Sequence, residues 1–302
     1  MLIKFAVQDF MDERELMNVS ENTLICYRSF FREFQSWLRE NDIMDASDIN
    51  TPVIKQYLMH CKRVRNNNPN TINTKLKNLK AFFNHLTENE YIEKNPCLRI
   101  QKQLTDERIE VFTDAHIRQM LRYYRRAKRK DHEFTCYRNI TIIIALLGTG
   151  IRLGELRGIK WSDVLNDTIS VFGKSRKTET VPLTEKVHNE LMDLKAYYER
   201  YFGHDVEYVF IHRNGNQMSY DSLREVFKKL QEVMNFKDVR LSAHTFRHTF
   251  AHRFLINGGD VFTLQKILRH SSLSMTEKYL ALWGTALHEQ NNKFNPLNNI
   301  EI

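Results

Sequence analysis

The stretch from His244 to Leu280 constrains the fold more than any other, because its apolar spacing and its breaks favour consecutive short helices. A first helix ends at Gly258–Gly259, since glycine readily adopts the left-handed backbone that closes helices. Asp260 can cap a second helix, which leaves Arg269 and His270 at its far end. The breaks therefore fix where the basic side chains lie along these helices.

The same stretch carries residue types that suit a phosphate. His244 and Arg247 are three positions apart and so lie on one helix face, where an imidazole and a permanently charged guanidinium point the same way. A guanidinium can donate two parallel hydrogen bonds to a phosphate. A third short helix, begun by a capping box at Ser274, carries Tyr279 nine residues beyond His270.

A glycine-bracketed turn, GTGIRLGEL, introduces another arginine upstream. The turn precedes a helix, whose first N–H groups and dipole favour an anion, and Arg152 lies at that point. Glu155 is three residues further on, and we expect it to orient neighbouring groups without touching a substrate.

Strand signals are confined to one region between these two motifs. Thr168–Phe172 and Thr180–Leu183 are short β-prone runs, and the loop between them begins at Gly173. This pattern predicts a β-hairpin with Lys174 and Lys177 near its tip.

Together these elements resemble the catalytic domain of the tyrosine recombinase, or phage integrase, family in its simple two-domain, Xer-like form. The resemblance implies a mainly α-helical fold with a small β-hairpin, in which an N-terminal helical core-binding (SAM-like) bundle precedes an α+β catalytic domain. It implies six catalytic residues: Arg152, Lys174, His244, Arg247, His270 and Tyr279.

The resemblance also implies a reaction, site-specific DNA recombination, in which the two arginines hold the non-bridging oxygens of a phosphodiester. Tyr279 attacks phosphorus and forms a 3′-phosphotyrosyl link, while Lys174 protonates the leaving 5′-oxygen. His244 assists proton transfer at the nucleophile, and His270 binds the phosphate or positions the tyrosine. Because the covalent link keeps the bond energy, neither a metal nor a nucleotide cofactor is expected.

The hairpin loop departs from the family pattern. Where relatives commonly read GKGxKxR, this chain has Ser175 for the second glycine and Glu179 for the arginine. Lys174 follows the glycine as the family lysine does and is favoured, but Lys177 remains a rival for the same role.

The first 98 residues are expected to be helical, with apolar residues at spacings of three and four in Leu24–Leu38, Val53–Val64 and Ile72–Leu86. In the family this bundle clamps one side of the DNA. Basic side chains here and at the hairpin tip are candidate DNA contacts by charge alone, although a solvated helix face would look the same. They are Lys62, Arg63, Arg65, Lys75, Lys77, Lys80, Arg176 and Lys177.

The domain boundaries follow from composition and from the resemblance. We expect the core-binding domain at residues 1–98, a polar linker at 99–110 and the catalytic domain at 111–302. The tail at 284–302 is either a frayed terminus or a segment exchanged between protomers. The expected partners are double-stranded DNA with a specific core site, a second copy on one site, a tetramer on two sites, and possible accessory proteins. No arm-type DNA-binding domain is expected before the bundle.

Composition agrees with a polyanionic partner, since the net charge is +8 and the pI is about 9.2. The four cysteines show no C-x-x-C spacing, and the longest apolar run, Ile140–Leu147, is too short to span a bilayer. These features indicate a cytoplasmic protein, and the resemblance implies that it is prokaryotic and associated with DNA. His244, His248 and His252 could form a metal ladder, but Arg247 beside them would repel a cation. His248 and His252 are therefore interpreted as packing or capping residues.

Two other functions fit parts of the pattern. A type IB topoisomerase would use the same chemistry to relax DNA without pairing two sites. A DNA-binding regulator with a degenerate catalytic domain would need fewer of the six residues than this chain carries.

Overall fold

The computed structural model describes residues 1–105, 109–127, 133–173, 177–270, 272–277 and 279. The chain divides into two compact units, Met1–Glu107 and Arg108–Ile302, and each is described by itself.

The N-terminal unit is a bundle of four helices. They are α1 (Ile3–Leu16), α2 (Glu21–Glu40), α3 (Thr51–Arg63) and α4 (Pro69–Glu88). Asn50 and Asn68 cap α3 and α4, each accepting a hydrogen bond from the backbone N–H three residues ahead. The core is aromatic, and Phe10 packs edge-on against Phe31 and Phe82 at centroid distances of 5.5 and 5.6 Å.

The C-terminal unit contains eight described helices and one hairpin. The helices are α5 (Asp114–Ala127), α6 (Glu133–Thr149), α7 (Leu153–Gly158), α8 (Glu185–Phe202), α9 (Tyr220–Met234), α10 (Ala243–Ile256), α11 (Val261–Leu268) and α12 (Ser274–Glu277). Helix α6 is apolar on most sides, and it is the centre against which α5, α8 and α10 pack. Its C-terminus leads directly into the turn that carries Arg152.

The predicted hairpin is confirmed. Strands β1 (Thr168–Phe172) and β2 (Thr178–Pro182) pair antiparallel, with Ile169 opposite Val181 and Val171 opposite Glu179. The mainly α-helical class with a small sheet is therefore confirmed as well.

The helix break after α10 also follows the prediction. Gly258 has a φ of 93°, and the Asp260 carboxylate accepts hydrogen bonds from the N–H groups of Phe262 and Thr263 at 2.9 and 2.8 Å. Apolar residues of α10 and α11 then form a small core cluster that includes Tyr279. None of the described helices is long and apolar enough to cross a membrane.

Candidate active site

Arg247 is held from two sides in the first half of α10. It is 5% exposed, and its Nη1 donates to the Gly150 carbonyl at 2.7 Å while its Nη2 donates to the Leu268 carbonyl at 2.5 Å. These bonds join the turn before α7 to the end of α11. Burial, with a smaller effect of the Arg152 charge, lowers the pKa of Arg247 to about 10, so the guanidinium stays protonated at neutral pH.

Arg152 precedes the first turn of α7 and forms a closed pair with Glu155. Its backbone N–H and its Nη1 donate to the two carboxylate oxygens at 2.8 and 2.7 Å, and its Nη2 donates to the Arg269 carbonyl at 3.1 Å. The side chain is 28% exposed and lines a cleft of ≈ 1050 Å³ that also reaches His244. The arginine is thus fixed at its base and open to a ligand on the cleft side.

Glu155 is a buried anion held by two cations. Burial opposes its ionisation, but the backbone N–H of Arg152 and the charge of Arg269 outweigh burial and lower the pKa of the carboxyl below its ordinary value. Glu155 is therefore charged at neutral pH, and it holds the Arg152 backbone N–H and guanidinium.

Tyr279 lies inside the α10–α11 cluster and is 1% exposed. Its hydroxyl is hydrogen-bonded to Nδ1 of His248 at 2.8 Å, and the two rings have centroids 5.5 Å apart. Burial raises the pKa of the phenol, and the positive charges of Arg247 and Arg152 offset part of that rise. The hydroxyl therefore lies within the field of both guanidiniums in a single chain.

The contact between His248 and Tyr279 was missed from the sequence, where His248 was interpreted as a packing or capping residue. The two are 31 positions apart, so helical spacing gives no sign that they meet. The sequence did carry a usable signal, because a second histidine directly follows His-x-x-Arg and lies four residues after His244, on the same helix face. In the structure the imidazole centroids of His244 and His248 are 6.4 Å apart. Among the described residues, no group of three or more His, Cys, Asp or Glu side chains could hold a metal ion.

The other two candidate histidines are His244, at the start of α10, and His270, just beyond α11. His244 is exposed in the first turn of α10 and lines the cleft. His270 follows α11, and its Nδ1 is hydrogen-bonded at 2.7 Å to the hydroxyl of Thr276, which is fully buried. The Thr276 bond restrains the orientation of the imidazole ring.

The segment between β1 and β2 contains Lys174, Arg176 and Lys177. Lys174 and Arg176 lie outside the described residues. Lys177 is exposed and directly precedes β2, and its carbonyl accepts the Gly173 N–H at 3.0 Å.

The candidate DNA contacts of the N-terminal unit fall into two groups. Lys62, Arg63 and Lys77 are exposed. Lys75 is only 8% exposed and donates to Glu33, which Arg65 also contacts at 3.2 Å. Lys80 donates to the Ile100 carbonyl at 3.0 Å. The ammonium groups of Lys75 and Lys80 are therefore occupied inside the unit, which argues against their role as phosphate contacts.

The site combines a buried guanidinium, a second guanidinium that lines a cleft, and a tyrosine hydroxyl in their field. Such an arrangement is chemically suited to nucleophilic attack on a phosphodiester. The sequence profile of the phage integrase family matches residues 110–283, and that of the phage integrase SAM-like domain matches residues 1–102. The chain belongs to the phage integrase family, and its N-terminal unit is a SAM-like domain.

The similarity to curated relatives extends along nearly the whole chain. A tyrosine recombinase XerC of Pediococcus pentosaceus is 26% identical over 290 residues, covering 92% of this chain and 93% of the relative. A XerC of Thermodesulfovibrio yellowstonii is 25% identical and covers 97% of each chain. The chain is therefore a site-specific DNA recombinase of the tyrosine recombinase type.

Solved structures show the same fold. A lambda integrase (75-356) dimer bound to a COC′ core site gives a TM-score of 0.73 at 18% identity and covers 91% of this chain and 97% of that one. The Tn1549 transposon integrase in complex with transposon right end DNA gives a TM-score of 0.75 at 21% identity, with coverage of 91% and 94%.

Proposed function

We propose that this recombinase breaks and reseals DNA through a 3′-phosphotyrosyl intermediate on Tyr279. The observation that carries the proposal is the position of the Tyr279 hydroxyl, hydrogen-bonded to His248 at 2.8 Å and within the field of Arg247 and Arg152. Those charges would stabilise the phenolate as it forms, and they would offset the charge on the pentavalent phosphorus.

The arginines act as prepositioned donors. The Nη1 and Nη2 of Arg247 each use one hydrogen on a backbone carbonyl, and each has a second hydrogen for a phosphate oxygen. Arg152 is fixed by Glu155 on one side and faces the cleft on the other. Because both groups are held before DNA arrives, the site needs little reorganisation during the reaction.

Proton transfer is divided among the imidazoles and a lysine. His248 is the partner of the phenol at rest and receives its proton during attack. His244 faces the cleft and assists proton transfer at the nucleophile. His270, oriented by its bond to Thr276, donates a hydrogen bond to a phosphate oxygen. Lys174 would protonate the leaving 5′-oxygen, with Lys177 as the alternative.

Base recognition by the N-terminal unit would come from a groove of ≈ 970 Å³ between α2 and α4. Asn70, Thr74 and Asn78 are spaced four apart on α4 and line this groove together. Asparagine can pair with an adenine edge through two hydrogen bonds, and a threonine methyl can contact thymine. Exposed Lys77 would bind the phosphate backbone nearby.

Alanine variants separate these two kinds of contact. Asn78→Ala should reduce the preference for core-site DNA over a scrambled duplex by about five- to a hundredfold in a gel-shift titration. Lys77→Ala should weaken binding to both duplexes equally and make it less salt-dependent. Equal losses on both duplexes for Asn78→Ala would contradict base readout.

The function itself is tested with a duplex nicked near the cleavage point, on which the cleaved strand diffuses away and traps the covalent adduct. Wild-type protein should form the adduct, and Tyr279→Phe should bind the duplex without forming it. Exchange of strands between two duplexes, measured on the same preparation, distinguishes a recombinase from an enzyme that only relaxes supercoiled DNA.

We also propose a dimer on one core site and a tetramer on two, joined through the C-terminal tail. Deleting residues 286–300 should leave single-site binding intact and impair strand exchange. Unchanged strand exchange would show that the assembly does not depend on the tail.

A further inference from the structure

Arg269 has a backbone conformation that its residue type disfavours. Its φ is 55°, in the left-handed region where glycine is the usual residue, and it directly follows α11. Its side chain is nevertheless 4% exposed, so the guanidinium is directed into the protein. A long buried cation at such a position indicates that its contacts matter to the site.

Those contacts connect Arg269 to the catalytic arginines. Its Nη2 donates to Glu155 Oε2 at 2.5 Å, and its own carbonyl accepts the Arg152 Nη2 at 3.1 Å. The preceding carbonyl, of Leu268, accepts the Arg247 Nη2 at 2.5 Å. The backbone of residues 268 and 269 therefore holds both guanidiniums, and the Arg269 side chain holds the carboxylate that orients one of them.

A third contact leads to the hairpin. The Nε of Arg269 is 3.9 Å from Glu179 Oε2 on β2, which is too long for a hydrogen bond. That Nε is buried and has no hydrogen-bond partner among the described residues. A shift of about 1 Å by the Glu179 carboxylate would complete the bond. One planar guanidinium can engage both carboxylates at once, Glu155 through Nη2 and Glu179 through Nε, whereas a lysine ammonium cannot match that geometry.

We propose that Arg269 is a positioning residue that couples strand β2 to Arg152 through Glu179 and Glu155. The proposal rests on the phosphodiester chemistry proposed above. The Arg269–Glu179 bond forms when DNA is bound, and it fixes Glu155 in the orientation that aims Arg152 at the phosphate. Without Arg269, Glu155 Oε2 loses its partner on that side, so the carboxylate that holds Arg152 can tilt and no longer aims Arg152 at the DNA.

The charges support this arrangement. Arg152, Arg247 and Arg269 bring three positive charges, and Glu155 and Glu179 bring two negative ones. The surplus of one positive charge matches the single negative charge of a phosphodiester. Replacing Arg269 by an uncharged residue removes that surplus.

The test uses the full-length protein and the nicked core-site duplex, with the single-turnover rate of adduct formation and the DNA dissociation constant measured separately. Arg269→Gly suits the backbone and removes the guanidinium, and it should slow cleavage at least about tenfold while DNA affinity changes less than about threefold. Arg269→Lys should restore only part of the rate. Glu179→Gln should slow cleavage about three- to tenfold in the wild-type background and have no further effect when combined with Arg269→Gly.

The coupling would be overturned if the effects of Arg269→Gly and Glu179→Gln on the cleavage rate were independent. It would also be overturned if Arg269→Gly cleaved at the wild-type rate or if Arg269→Lys restored the full rate. A parallel loss of cleavage rate, DNA affinity and melting temperature in Arg269→Gly would likewise contradict it. Arg253→Ala is the matched control, because it removes an ion pair of 2.5 Å with Asp114 in the same unit. It should lower the melting temperature and leave the cleavage rate unchanged. If Arg269→Gly fails to fold, the cleavage rate of Glu179→Gln alone tests the coupling, because Glu179 is partly exposed and its substitution should leave the fold intact. Absence of any adduct with wild-type protein would refute the proposed chemistry itself.

Discussion

Replacing Arg247 by lysine should separate catalysis from DNA binding. The guanidinium spans two carbonyls, Gly150 O at 2.7 Å and Leu268 O at 2.5 Å, and presents its remaining hydrogens to the site. A lysine ammonium can reach one carbonyl at a time, and it cannot donate two parallel bonds to a phosphate from the same place. The substitution keeps the charge and loses the geometry.

The size of the effect follows from the bonds lost. Removing one prepositioned donor from a transition state costs about 2.7–4 kcal/mol, which is a rate loss of about 10²–10³. Leaving one buried carbonyl without its donor costs about 1–3 kcal/mol of folding stability. DNA affinity should fall less than about threefold, because the lost bonds strengthen mainly as charge develops on the phosphate.

The assay is single-turnover adduct formation on the nicked duplex, beside a binding titration and urea unfolding of the same preparations. Arg253→Lys, on the same helix but paired to Asp114, controls for a lysine in α10. The reasoning would be refuted by an Arg247→Lys enzyme that cleaves within about fivefold of wild type, or by one whose rate loss equals its loss of DNA affinity.

Three further predictions follow from the same contacts. Because the Glu155 pKa is lowered on folding, its charge contributes stability above the unfolded pKa near 4.5 that is lost as pH falls through the folded value. Urea unfolding should therefore show wild type more stable than Glu155→Gln at pH 7, with a smaller difference at pH 4, and an equal difference would contradict this. Thr276→Val should free His270 to rotate and slow adduct formation by about three- to thirtyfold with unchanged melting temperature, and a wild-type rate would argue against the orienting bond. Gly150→Ala should cost about 2–4 kcal/mol in urea unfolding, because φ is 62° and the new methyl would lie 2.5 Å from a ring carbon, and a loss below about 1 kcal/mol would contradict the packing argument.

Much of the fold follows from local sequence signals. The hairpin, the Gly258 break and the Asp260 cap depend on residues that are neighbours in the chain, so periodicity and turn chemistry predict them. Helix α1 was not separately predicted. It begins near residue 1 without a side-chain cap, and its apolar residues are buried because the helix packs against α2 and α4.

The parts of the site that were missed depend on contacts distant in sequence. His248 meets Tyr279 across 31 residues, and Lys75 is buried because Glu33 faces it from α2. Arg269 looked like an ordinary basic residue at a helix end. Its left-handed backbone and its buried contacts to Glu155 follow from tertiary structure, which no spacing rule anticipates.

The central claim is that the Tyr279 hydroxyl attacks phosphorus within the field of Arg152 and Arg247. The most direct measurement is mass spectrometry of the protein trapped on the nicked duplex, after nuclease and protease digestion. The account predicts a nucleotide joined through its 3′-phosphate to the peptide that contains Tyr279, and no such adduct from Tyr279→Phe. A nucleotide on any other residue, or an undiminished adduct from Tyr279→Phe, would contradict it.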